Sequence, residues 1–204
     1  ATVFGSAHSG PGLAQRALEQ AGKYGPTPEV SICLCYLETI YDLLQPATEL
    51  VLAETRAGVR LAGASFQKVR PGGTALDGLL RDAFGKRERI VAGIATSLRA
   101  LCHTIVSIRL PTAPESMLLV AQLAPPPLVR VSGVAGLAIE EYCSLNTSLK
   151  AFERCIAAMA KRKVGRPPLR ESKLTRLLSP ALGAEGGRVS LVVCVSPDRS
   201  DQQE

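Results

Sequence analysis

Pro168-Leu169-Arg170-Glu171-Ser172-Lys173-Leu174-Thr175-Arg176-Leu177-Leu178 is the stretch from which the fold can be read. Its pattern predicts a helix over about Glu171 to Leu178, stopped near Pro180 and Gly183. Its cations belong to a wider concentration. From Lys150 to Arg176 there are nine basic residues (Lys150, Arg154, Lys161, Arg162, Lys163, Arg166, Arg170, Lys173 and Arg176) against two acidic ones, Glu153 and Glu171. The stretch balances at +7 while the 204-residue chain carries +6, so the remainder is about −1. A local basic surface of this kind attracts a polyanion: nucleic acid, an acidic membrane face or an acidic protein polymer.

Just upstream lies the clearest helical pattern of the chain, from about Ile139 to Arg162. Tyr142, Leu145, Leu149, Phe152, Ile156 and Met159 recur at alternating intervals of three and four, a continuous apolar stripe. Shorter helices are predicted over Leu13 to Ala21, closed by Gly22, and from Thr74 as cap through Leu79, Leu80 and Phe84. Between them stand strand-type runs: Val30 to Leu37, Thr104 to Leu110, Met117 to Leu123, Leu128 to Val134 and Val189 to Val195. The last is apolar on both faces, as in a strand buried between helix layers. Strands alternating with helices predict an α/β layered sheet. Length predicts one domain, with a polar, frayed tail over 199–204.

Composition narrows the chemistry. Apolar residues make up 46% and charged residues 21%, enough for a core, but aromatics are only 4%, so Leu, Val, Ile and Ala must fill it. No apolar run reaches membrane-spanning length, and the first residues do not read as a secretory signal. Cys33, Cys35, Cys102, Cys143, Cys155 and Cys194 form no C-x-x-C pair, and the histidines are His8 and His103 alone, so no metal site is expected and the thiols are read as reduced and mostly buried. Gly5, Ala7, His8, Ser9, Gly10 and Gly12 have the small-residue character of a phosphate-cradling loop between strand and helix. Such a loop needs a Lys and a Ser or Thr just after its last Gly, where this chain has Leu13 and Ala14, or Pro11 and Gly12 if the frame starts at Gly5, and neither register supplies the Lys.

The 168–178 stretch closely resembles the signature that opens helix α5 of kinesin motor domains, and Ser172-Lys173-Leu174-Thr175-Arg176-Leu177-Leu178 matches the family's form throughout. Ser144-Leu145-Asn146-Thr147-Ser148-Leu149 is similar to the I-N-K-S-L element of the family's relay helix. Tyr36-Leu37-Glu38, followed by Tyr41-Asp42-Leu43-Leu44, resembles a shortened Y-L-E-I-Y-N-E…D-L-L segment. Thr2-Val3-Phe4 resembles the strand before the P-loop, and Val192 to Pro197 the strand that ends in a Ser-Pro turn. These elements follow the family's order. The resemblance implies a P-loop NTPase-like kinesin motor fold, a central mixed β-sheet flanked by helices, over residues 1–198. It also implies a fold incomplete at both ends, lacking the family's first strands and its last helix and neck linker.

The family hydrolyses Mg-ATP and travels on microtubules. Carried over residue by residue, its P-loop Lys and Thr fall on Leu13 and Ala14. Its switch I N-x-x-S-S-R-S-H falls on a segment holding Thr96, Arg99, Ala100, Leu101, Cys102 and His103, of which the His stands. Its switch II D-L-A-G-S-E falls on Gly133-Val134-Ala135-Gly136-Leu137-Ala138, which retains Ala135 and Gly136. The salt bridge between the switch I Arg and the switch II Glu would join Leu101 to Ala138. Phosphoryl transfer relies on positioning and charge compensation. The resemblance with these losses therefore implies no catalytic residue, no bound cofactor, hydrolysis near background and weak Mg-ATP affinity.

The +7 stretch coincides with the family's main microtubule contact, which implies a microtubule-binding domain of the cytoplasmic cytoskeleton. A partner kinesin or adaptor is a further possible docking target. Two alternatives stay open: a divergent active motor, and nucleic-acid binding through the same patch, for which stacking aromatics are poorly supplied.

Overall fold

The computed structural model describes residues 3–4, 10–45, 48–55, 58–72, 74–92, 102–125, 137–161, 167–183 and 188–193. Helix α1 (Leu13–Ala21) runs into a 3₁₀ turn (Gly22–Tyr24) and strand β1 (Glu29–Tyr36). The strands β2 (Thr39–Asp42), β3 (Thr48–Thr55), β4 (Gly58–Ala62) and β5 (Gln67–Lys68) follow. Then come α2 (Ala75–Ala92), β6 (His103–Leu110), β7 (Ala113–Gln122), α3 (Leu137–Ala160), α4 (Lys173–Leu177) and α5 (Ser179–Leu182).

The strands form one seven-stranded sheet in the order β4-β3-β2-β1-β6-β7, with β5 also pairing β1, and every pairing among the described strands is antiparallel. Strand β1 is central and alternates between two cores. Val30, Ile32, Leu34 and Tyr36 join Leu18 of α1 and Leu76, Leu80 and Ala83 of α2. Cys33 and Cys35, on the other face, join Cys155 of α3, Leu174, Leu177 and Leu178 of α4, and Leu182 of α5. Two helical layers thus sandwich the sheet, as period-two side-chain alternation on a strand covered on both faces requires.

The sequence predicts β1, β6 and helices α1, α3 and α4 closely, whereas α2 runs on from Phe84 to Ala92 and β7 starts at Ala113 rather than Met117. The run Val189 to Val195 differs. Arg188 to Val193 forms no strand, and Leu191, Val192 and Val193 are 57%, 60% and 71% exposed. An apolar run marks residues able to line a core, but a strand also needs a hydrogen-bonding neighbour, and no described strand pairs this segment. The predicted strand Leu128 to Val134 and the tail 199–204 lie outside the described residues.

Two motif carboxylates hold the sheet together. Leu37 and Glu38 close the β1–β2 hairpin with φ of 47° and 58°, the left-handed pair that a two-residue turn demands and that non-glycine residues adopt at a cost. From there Glu38 accepts the Lys173 backbone N–H at 2.6 Å, fastening the start of α4 to the sheet. Asp42 is fully buried and accepts the Leu44 and Ser65 N–H groups, each at 2.7 Å, joining the end of β2 to the segment after β4. Asp42→Ala is expected to destabilise the fold by about 2–3 kcal/mol in chemical denaturation, because both amides lose a charged acceptor. Asp42→Asn, which keeps one acceptor oxygen, should lose less.

Candidate functional site

Two regions carry the functional expectations: the N-terminus of α1 and the helical layer of α3 and α4. At α1 the described residues close on themselves. The Gly12 N–H donates to Gln15 Oε1 at 3.0 Å, while Gln15 Nε2 donates to the Phe4 carbonyl at 2.6 Å and to Asp77 Oδ1 at 3.0 Å. The Ala14 N–H donates to the Val3 carbonyl at 3.0 Å, and Ala14 is buried. A helix N-terminus binds phosphate through its unpaired amides. Here the Gly12 and Ala14 amides have protein acceptors, and the positions needed for a cation and a Mg²⁺-binding hydroxyl hold Leu13 and Ala14. The described residues at this terminus do not fit a magnesium triphosphate. Gly10, with φ of +74°, precedes them in a conformation suited to glycine. Gly5, Ala7, His8 and Ser9 lie outside the described residues, as do Thr96, Arg99, Gly133, Ala135 and Gly136.

His103, the last residue of the switch I resemblance, is the hub of a buried polar relay. The Ala124 N–H donates to Nδ1 at 3.1 Å, so Nδ1 carries the lone pair and the ring proton sits on Nε2. Nε2 then donates to Ser148 Oγ at 3.0 Å, and the Ser148 hydroxyl donates to the Leu145 carbonyl at 2.8 Å. This chain links the start of β6, Ala124 in the segment after β7 and the middle of α3. Burial holds the imidazole pKa down to about 4, which keeps it neutral and preserves both roles. Beside it, the Tyr36 hydroxyl donates to Glu141 Oε1, while the buried Glu141 Oε2 has no hydrogen-bond partner among the described residues. Tyr36, Glu38, His103, Glu141, Ser144 and Ser148 line a cavity of about 10 Å³, space for one water.

This relay rotates α3 away from the face the apolar stripe suggests. The helix is most buried at Glu141, Leu145, Ser148, Ala151 and Cys155, whereas Tyr142, Leu149, Phe152, Ile156 and Met159 flank that line half-buried. Tyr36, Glu38, Glu141 and Ser148 are thus site residues that periodicity passes over. The family-like Tyr36-Leu37-Glu38 and Ser144–Leu149 elements were the available signal.

The signature at α4 resolves into a cap and a core. Ser172 Oγ accepts the Thr175 N–H at 3.1 Å and Thr175 Oγ1 accepts the Ser172 N–H at 3.2 Å, a reciprocal capping box. The Thr175 hydroxyl donates to the Leu169 carbonyl at 3.0 Å, and Leu174, Leu177 and Leu178 are buried. Lys173 and Arg176 remain on the half-buried edge and Arg170 is exposed. On α3, Lys150 and Arg154 are exposed one turn apart, with Lys161 exposed just beyond the helix end. Arg154 Nε donates to Glu171 Oε2 at 2.8 Å and so ties α3 to the approach to α4. Six of the nine predicted contact residues are described and lie on or beside α3 and α4, while Arg162, Lys163 and Arg166 lie outside the described residues.

The unfolded imidazole titrates near 6.5 and the folded one near 4, so the unfolded chain binds the extra proton between those values. The stabilisation is present above about pH 6.5 and is lost as pH falls through 4. Denaturant titrations should show stability dropping across this window by up to about 1.4 kcal/mol per pH unit from this group. His103→Gln should flatten that slope; an unchanged slope would contradict the buried neutral assignment.

Comparison with known proteins places this geometry. The family described as kinesin motor domain matches residues 16–204. Kinesin-like protein KIN-UB of Oryza sativa subsp. japonica is 31% identical over 205 residues, covering 84% of this chain and 22% of the relative. Kinesin-like protein KIN-UA of Arabidopsis thaliana is 29% identical over 198 residues, covering 82% and 21%. The chain thus spans about a fifth of the length of these curated relatives. A solved structure described as a fast kinesin superposes with a TM-score of 0.68 at 26% identity, covering 87% of this chain and 55% of the other. The structure of KIF14 with ADP in complex with a microtubule superposes at 0.71 with 24% identity, covering 90% and 59%, and shares the fold.

Proposed function

The chain belongs to the kinesin motor domain family, and from that membership we propose that it is a microtubule-binding domain whose grip on the polymer does not depend on nucleotide. The observation that carries the reading is the division of labour in the α3–α4 layer. There the apolar and hydroxyl side chains of the Ser172–Leu178 signature point into cap and core, and the cations are left at the surface. The matching segment is the family's main microtubule contact. A solved structure sharing this fold is itself described as a microtubule complex. Acidic polymer surfaces complement clustered cations, and such complementarity governs encounter rate and salt dependence.

The proposal of impaired ATP binding and hydrolysis is supported from the other end of the molecule. Leu13 and Ala14 supply neither a charge for the β- and γ-phosphates nor a hydroxyl for Mg²⁺, and the Gly12 and Ala14 amides are engaged within the protein. Phosphoryl transfer depends on such compensation, so a terminus of this kind leaves the transition state unsupported. The same reading assigns no resident cofactor and a cytoskeletal location.

Co-sedimentation with taxol-stabilised microtubules tests the proposal. Binding is expected at low salt and should weaken steadily as ionic strength rises, because the contacts are between exposed charges. A Lys150→Glu/Lys161→Glu double reversal should raise the dissociation constant roughly tenfold at fixed salt. Absence of pelleting at low salt, or pelleting untouched by the double reversal, would contradict it.

A further inference from the structure

We propose that Glu54, on the β3–β4 hairpin, sets the affinity of the basic face by holding Arg170 and Arg176 and competing with an acidic polymer for them. The inference rests on reading that face as a polymer-binding surface, and adds to it a residue that lies far from the +7 stretch in sequence. Glu54 Oε2 accepts from Arg170 Nη2 at 3.0 Å and Oε1 accepts from Arg176 Nη2 at 3.4 Å, so one carboxylate engages two cations. Its position is built rather than incidental. Leu52 on the same strand is buried, and Val59 and Leu61 of β4 pack against the core that contains Leu174 and Leu177 of α4. The hairpin is thereby seated beside α4 with the Glu54 carboxylate reaching both guanidiniums.

Arg170 is 82% exposed and Glu54 half exposed, so that contact can open toward solvent, while Arg176 is 26% exposed and opens only at its guanidinium edge. Exposed ion pairs are weak, and opening them is a small step. An arriving carboxylate must nevertheless take the place of one already present. That exchanges like for like, and the two arginines contribute less to binding than two unpaired ones would. Arg154 is held in the same way by Glu171. The strength of the face is therefore set by internal acids as well as by the number of its cations.

Glu54→Gln removes the charge while preserving shape and an acceptor oxygen. Glu49→Gln makes the same change of net charge on the same strand, at an exposed position away from these arginines, and serves as the control. Both are compared with the unmodified chain by microtubule co-sedimentation and by retention on poly-L-glutamate beads, and Glu54→Thr provides a second charge-free variant. Glu54→Gln and Glu54→Thr should bind microtubules about 2- to 10-fold more tightly, and Glu49→Gln distinctly less so. If the unmodified chain ignores microtubules but the Glu54 variants gain retention on polyglutamate over the Glu49 control, the competition stands and the microtubule reading falls. If neither Glu54 variant exceeds Glu49→Gln on either matrix, the proposal is overturned.

Discussion

A neutral imidazole, buried where the sheet meets the long helix, fixes the geometry on which the rest of the molecule depends. His103 receives a backbone proton from Ala124 and passes its own to Ser148, so the start of β6, the exit of β7 and the middle of α3 share one side chain. The bond accepted at Nδ1 needs the uncharged ring, and burial enforces it. A charged ring would lose the acceptor at Nδ1 and leave a buried donor without a partner, which is costly in a low-dielectric interior. Glu38 repeats the device one layer out, where a carboxylate on a left-handed turn holds the first amide of α4. Together the two contacts seat the helical layer on the sheet without calling on any ligand.

That arrangement separates two demands usually met by one nucleotide-dependent machine. At the α1 terminus the Gln15 side chain and the Val3 carbonyl accept the Gly12 and Ala14 amides. The α3–α4 layer keeps its capping box and leucine core, and its cations lie at the surface. Loss of charge at one end and retention of charge at the other are thus compatible within one stable fold.

How far the sequence carries can be judged from particular residues. The Ser172–Leu178 signature located α4, because cap, core and charge are all encoded locally within seven residues. Strands β1, β6 and β7 were legible as runs with strong β-propensity. Strands β2, β3 and β4 were not: β2 and β4 are short, and on β3 Thr48, Glu49, Val51 and Glu54 face solvent, so little apolar signal marks them. Val189 to Val193 failed in the opposite way: its composition advertises a buried strand, but pairing depends on a neighbour that composition cannot specify. On α3 the apolar stripe predicted the helix but not its rotation, because Glu141 and Ser148 at the buried line are polar and their partners come from β1 and β6. Glu54 had no local signal, as its arginines lie more than a hundred residues away. The family resemblance supplied what periodicity could not: the order of the elements and the meaning of the basic stretch.

We propose that the chain binds microtubules without holding Mg-ATP at the α1 terminus. Equilibrium titration of the chain with a fluorescent ATP analogue in the presence of Mg²⁺, followed by anisotropy, addresses it most directly. The account predicts no saturable binding up to about millimolar nucleotide, a regime in which the interaction free energy is no stronger than roughly −4 kcal/mol. Saturable micromolar binding, displaced by unlabelled ATP and dependent on Mg²⁺, would contradict it.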